Sequence, residues 1–293
     1  MKMPFSATFA TLVVFLLPVV ALAQVDWTSA RVQFDANGRL VYPADAQDNR
    51  IPDYSNAGYR GGGVPLPTVP VVLTISPIAG DNTANIQAAI DSVGAMAVQS
   101  DGYRGTVLLT AGTYRIDGTI RLNKSGVALS GVGNGADPAF NTILQRTGTS
   151  QATIIVAGSG LNDNFQSEVA GTRRQITTPR VPVGSRTFTV DDASQFAVGD
   201  PIIILHPSTA AWIEAMNKGG VTDANVWNPG EIDIRYHRYI TAISGNTIAI
   251  DAPVFNHLER SLSQSFVYKY DNSGIRKNIG IEKLLVDIVT NGP

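Results

Sequence analysis

The chain has 293 residues, a formal charge of −2 and no cysteine. The near-neutral balance argues against a non-specific nucleic-acid surface. Without cysteine no disulfide can staple the fold, so stability has to come from buried apolar surface. With 28 Gly and 16 Pro among many Thr, Asn and Asp, the composition predicts a turn-rich, mainly β protein.

Met1-Lys2, an apolar run from Phe9 to Val20 and the small-residue site Ala21-Leu22-Ala23 read as a secretory signal peptide over residues 1–23. Pro18 and the missing stop-transfer charge argue against a membrane anchor, and no later segment is apolar enough to span a bilayer. The expected mature product starts at Gln24, is secreted (extracellular or periplasmic), and has no membrane partner once the peptide is removed.

Residues 24–80 read as an extended N-terminal arm. The stretch "IPDYSNAGYRGGGVPLPTVP" is broken by glycine and proline, and Tyr54 and Tyr59 are expected to pin it to the body. "GDNTANIQAAIDSVGA" predicts a helix. Asn82 or Thr83 can cap it, Ile86, Ala89, Ile90 and Val93 share one face, and Gly94 ends it.

Four short strands follow at Val107–Leu109, Tyr114–Ile116, Ile120–Leu122 and Val127–Leu129, then "TILQR" (142–146) and "TIIVAG" (153–158). Corners this tight suit neither hairpins nor crossover helices. A sandwich would use longer strands at regular spacing. A parallel β-helix coils short strands around one aliphatic column, and its first coil has an open edge that needs a cover. The helix at 81–95 would supply it, so residues 81–169 read as a capping helix and first coils.

From 170 to 256 the texture becomes that of a small β-rich insertion. It holds a hairpin around Gly245-Asn246, with Ile240, Ile243, Ile248 and Ile250 as core positions, and a long loop, 206–236, with Trp212 and Trp227. Residues 257–293 then read as the β-helix resumed. A stack that has just resumed should continue for several coils, so a fragment of a longer protein is expected; a last coil shielded by a partner is the alternative.

The helix 81–95, "GTVLLTAGTYRI" and "SGVALSGVG" together resemble the N-terminal part of the pectate lyase superfamily, in particular its rhamnogalacturonase-type and epimerase-type members. The resemblance covers roughly residues 75–160. It implies an all-β, right-handed parallel β-helix with an N-terminal capping helix, and a secreted carbohydrate-active protein acting on acidic polysaccharide such as pectin. A lyase working by β-elimination is the first expectation. A glycoside hydrolase of the same fold is the second, and a non-catalytic glycan-binding adhesin the third. The superfamily hosts several reactions, and its catalytic signatures find no matching stretch here, so catalytic residues are expected beyond Pro293. Calcium is implied by the resemblance alone.

The residues themselves offer few constellations. Asp191-Asp192 is a visible carboxylate pair, but neighbours on a strand diverge, and "VDDASQF" reads as a turn that they cap. Asp223, Glu231, Asp233 and Asp251 are too scattered to claim a calcium site. No cysteine and three isolated histidines give no zinc site, and "SGVGNG" lacks the following helix of a phosphate loop. "IRYHRY" places Arg235 and His237 on one strand face and Arg238 on the other; the pair reads either as a cationic site for a carboxylated sugar or as a solvated strand face, the commoner case. Trp212 and Trp227, in one loop with His206 and Glu214, could stack on sugar rings or anchor that loop by burial. Tyr114 reads as a packing residue and Lys124 as a turn residue.

Overall fold

The computed structural model describes residues 29–147, 154–158, 167–220 and 226–289. The expected signal peptide, Asp223 and the terminal "TNGP" lie outside the described residues.

The arm starts with a two-strand hairpin, β1 (Gln33–Phe34) against β2 (Leu40–Val41). Asp35 closes its turn by accepting hydrogen bonds from the amides of Asn37 and Arg39. Within the stretch read as arm, β3 (Val71–Ile75) already pairs parallel with β4 (Gly105–Leu109). The parallel pairing therefore begins before the helix.

That helix, α1 (Thr83–Gly94), buries the predicted stripe of Ile86, Ala89, Ile90 and Val93. Its start differs from the expectation. Asp81 accepts from the Thr83 amide at 2.9 Å and the Thr83 hydroxyl at 2.6 Å. The Asn82 amide instead turns back to Ile78 and Gly80.

Beyond β4 the chain runs through β5 (Gly112–Arg115), β6 (Ile120–Leu122), β7 (Val127–Ser130), β8 (Thr142–Thr147) and β9 (Ile155–Ala157). Each strand pairs parallel with the one three positions later: β4 with β7, β5 with β8, β6 with β9. Three parallel sheets result, and this connectivity fits a parallel β-helix. Val107, Leu109, Tyr114, Ile116, Ile120, Leu122, Val127, Leu129 and Leu144 point into one core that the α1 stripe joins. Burying each such aliphatic side chain contributes about 1.5–3 kcal/mol. Tyr114 is fully buried, as expected of a packing residue, and its hydroxyl donates to the Ile75 carbonyl.

The corners are held by polar contacts. Gly126 turns at φ 83°, where a Cβ would stand 2.9 Å from the Gly102 carbonyl oxygen. Buried Arg146 ties the corner between β5 and β6 by donating to the carbonyls of Ile116 and Gly118.

The insertion comprises β10 (Arg174–Gln175), β11 (Arg180–Val181), β12 (Thr187–Thr189), β13 (Pro201–His206), α2 (Ala210–Ala215), β14 (Ile234–Ser244), β15 (Thr247–Ile250), β16 (Leu258–Glu259) and β17 (Phe266–Lys269). Six of its strands form an antiparallel sheet in the order β10-β17-β13-β14-β15-β12, and β11 pairs with β16. The β14–β15 hairpin turns at Gly245-Asn246, with Ser244 opposite Thr247, and its isoleucines pack in the insertion core as read from the sequence.

The antiparallel sheet outlasts residue 256. Strand β13 buries Ile202 and Ile204 on one face and Ile203 and Leu205 on the other. Its two edges are both paired, one with β14 and the other with β17, whose Val267 and Tyr268 join the same two clusters. Parallel pairing returns with β18 (Gly280–Glu282) on β7 and β19 (Leu285–Val289) on β8, so it resumes at Gly280 rather than at 257.

Candidate functional site

Two segments far apart in sequence meet at the turn "VPVGSR". The Arg50 amide donates to the Val183 carbonyl at 3.0 Å, and the Val183 amide donates to Asn49 Oδ1 at 3.1 Å. Gly184, at φ 83°, lets the arm lie against this turn: a Cβ there would stand 2.5 Å from Arg50 Cγ and 2.9 Å from the Arg50 carbonyl oxygen. The amide of Gly184 donates to Val254 O, so the turn is braced from behind by the insertion.

The result is an open cleft of about 1020 Å³ between arm and insertion. One wall is Arg39 to Tyr42, from β2 and the residues beside it. Asp48, Arg50, Ile51, Asp53 and Ser55 line the next stretch, and the segment from Pro182 to Thr187 completes it. Three cations, Arg39, Arg50 and Arg186, face two acids, Asp48 and Asp53. Arg186 is engaged, donating to Asp53 Oδ2 at 2.9 Å and to the Asp251 carbonyl at 2.6 Å. Hydrogen bonds from Ser55, with the Arg186 charge adding, hold the Asp53 carboxyl below its usual range. Among the described residues Arg39 and Arg50 have no ion-pair partner. Both are exposed. The cleft thus presents two available guanidiniums beside one neutralised pair, a surface suited to carboxylates.

The residues singled out from sequence lie elsewhere. Arg235 and His237 do share the exposed face of β14, with Arg238 on the other. They do not form a free cationic pair. Arg235 is paired with Asp233 at 3.3 Å. Burial, with the charges of Arg238 and Arg235 adding, pushes the His237 imidazole below its ordinary value and so toward the neutral form. Arg238 lies over the rings of Tyr236 and Phe255 and donates to the carbonyls of Ala252, Pro253 and His237, so it braces the fold.

Trp212 sits in α2 and is 5% exposed, stacked on Trp227 at 6.1 Å with its flank against the His206 ring. A buried indole has no face to offer a sugar, so the anchoring role fits Trp212. Trp227 is half-buried on top of it. His206 itself is buried, its Nδ1 bonded to Ser265 Oγ at 2.7 Å.

Three of the carboxylates weighed for calcium are held by other partners. Glu231 accepts from the Asn228 amides, Asp233 from Ser208 and Arg235, and Asp251 from the Tyr239 amide. Among the described residues no three His, Asp or Glu side chains converge in a metal-holding group. Asp191 and Asp192 cap their turn as read, accepting from Gln175, Asp192 and Ser194 amides.

No known family profile matches the chain, and no curated protein does. Among solved structures it is similar to three phage tailspikes. The Gp54 tailspike of Acinetobacter baumannii bacteriophage AP22, in complex with A. baumannii capsular saccharide, is 11% identical with a TM-score of 0.36, over 69% of this chain and 27% of that one. The tailspike gp61 of Pseudomonas phage phi297 is 16% identical with a TM-score of 0.36, over 71% and 28%. The tailspike gp49 of Pseudomonas phage LKA1 is 16% identical with a TM-score of 0.33, over 71% and 29%. The chain thus spans less than a third of each tailspike's length. At such scores the fold and the site rest on this chain's own strand pairing and cleft.

Proposed function

We propose that the chain belongs to a secreted, right-handed parallel β-helix protein, lidded by α1, that takes an acidic polysaccharide. One observation carries the reading: the arginine-lined cleft, with Arg39 and Arg50 available to carboxylates. A cleft of about 1020 Å³ that opens to solvent has room for more than one sugar unit.

For the reaction we favour β-elimination on a uronate. That chemistry requires the substrate carboxylate to be neutralised so that the C5 proton becomes acidic, which a guanidinium does without a metal. Asp48 is the cleft carboxylate available to take that proton, and as the C4–O bond breaks the departing sugar oxygen takes a proton from water. Hydrolysis needs two carboxyls flanking the scissile bond. In the cleft Asp53 is bound up with Arg186 and Ser55, which leaves Asp48 alone and disfavours that reading.

Incubation with pectin, alginate and related polyuronates tests the proposal. Ultraviolet absorbance from an unsaturated uronate is the expected product signal. New reducing ends without that absorbance would make the protein a hydrolase, and retention without cleavage would make it a glycan-binding adhesin. Neither binding nor cleavage across the panel would overturn the carbohydrate reading.

A further inference from the structure

An exposed pair of aromatic rings stands beside the cleft. Tyr54 lies between two cleft-lining residues, Asp53 and Ser55, and is 61% exposed. Its ring stacks on Phe255 at 5.4 Å with an interplanar angle of 17°. Phe255 is 41% exposed and held from behind: Tyr236 meets it edge-on at 6.0 Å, and Arg238 lies over it at 5.5 Å. The Phe255 amide also donates to the Tyr236 hydroxyl. One residue earlier, Val254 exchanges backbone hydrogen bonds with Gly184 and Ser185 of the cleft wall. Both rings are therefore fixed to the cleft by short covalent and hydrogen-bonded connections.

Burial does not explain this geometry. An aromatic ring that only pinned the arm would gain most by hiding both faces. Tyr54 hides one face on Phe255 and leaves the bulk of its surface to water, on a support that holds it rigid. A flat, pre-positioned aromatic face next to guanidiniums has the two chemistries of an acidic sugar chain: an apolar C–H face on each pyranose and a carboxylate at its edge.

We propose that Tyr54, backed by Phe255, is a saccharide-stacking subsite continuous with the cleft, and that it takes a pyranose ring neighbouring the one whose carboxylate meets Arg39 and Arg50. The inference rests on the acidic-polysaccharide reading of the cleft and adds a residue and a sugar face to it.

The experiment is calorimetric titration of the protein, Tyr54→Ala and Tyr54→Phe with a galacturonic acid hexasaccharide. Tyr54→Ala should weaken binding about tenfold, and Tyr54→Phe should stay within about twofold, since the face and not the hydroxyl is used. In the unaltered protein, magnetisation from aromatic protons should reach the sugar C–H protons, a transfer that Tyr54→Ala removes. This second readout holds even if the alanine variant loosens the arm. Hexasaccharide binding that is equally tight in Tyr54→Ala, with no transfer from the rings, would overturn the stacking subsite and leave the cleft reading standing. No binding to the unaltered protein would overturn both.

Discussion

His206 shows how much a single buried side chain can demand of its surroundings. Its ring is 1% exposed, Nδ1 is committed to Ser265, and Nε2 is buried without a hydrogen-bond partner among the described atoms. Burial, with the nearby His257 charge adding, lowers its pKa from 6.5 to about 4, and Asp233 pulls only weakly the other way. Because the folded value is depressed, the contribution to stability is complete above about pH 6.5 and is lost as pH falls from there toward 4. The loss amounts to about 3 kcal/mol at full effect. Urea unfolding at pH 7.5 and pH 4.5 should therefore show a steeper acid loss for the native chain than for His206→Leu. Equal acid losses in the two proteins would show that this imidazole is not the group being titrated.

At the scale of the element, the segment around α2 is an anchor built of stacked rings. Trp212 fills the space between His206 and Trp227, and the Thr209 hydroxyl caps the helix by accepting from the Trp212 amide. Removing an indole this buried costs about 3–5 kcal/mol. Trp212→Ala should lower the free energy of unfolding by that order while leaving saccharide affinity, measured well below the unfolding midpoint, unchanged. Lost affinity with unchanged stability would return Trp212 to the binding site.

Elements of this kind were partly legible in the sequence. The α1 stripe, the Gly245-Asn246 hairpin and the short coil strands announce themselves through local spacing, because one face of each must be apolar. Buried Arg146 carried no such signal: its reason for being inside is a pair of corner carbonyls some thirty residues earlier in the chain. The return of the parallel pairing was misplaced for a related reason. "FVYK" reads acceptably as a strand of either sheet, and only its pairing with the free backbone edge of β13 decides.

For the molecule as a whole, the parallel coils and the antiparallel insertion are familiar building units, whereas the cleft forms where the N-terminal arm meets the insertion. Asp53 meets Arg186 across 133 residues of sequence. The arm has no periodicity from which its docking could be read. Sequence pattern therefore pointed to the cations and indoles crowded together in one stretch, and most of those turned out to be spent on ion pairs, ring contacts and burial. The residues left over for a ligand, Arg39 and Arg50 with Tyr54 beside them, lie in a segment that local pattern marks only as loop. Gly184 is the clearest point where backbone, packing and site meet, since its missing side chain is what lets the arm close one side of the cleft.

The most direct measurement is the affinity of a galacturonic acid hexasaccharide for the native chain and for the Arg39→Ala, Arg50→Ala double variant, at low and at 0.5 M salt. Two exposed guanidiniums meeting carboxylates should give binding that the double variant weakens at least tenfold, about 1.4 kcal/mol or more. The salt dependence should be marked in the native chain and nearly flat in the variant. Equal affinity of the two proteins, or binding indifferent to salt in the native chain, would contradict an acidic polysaccharide lying in this cleft.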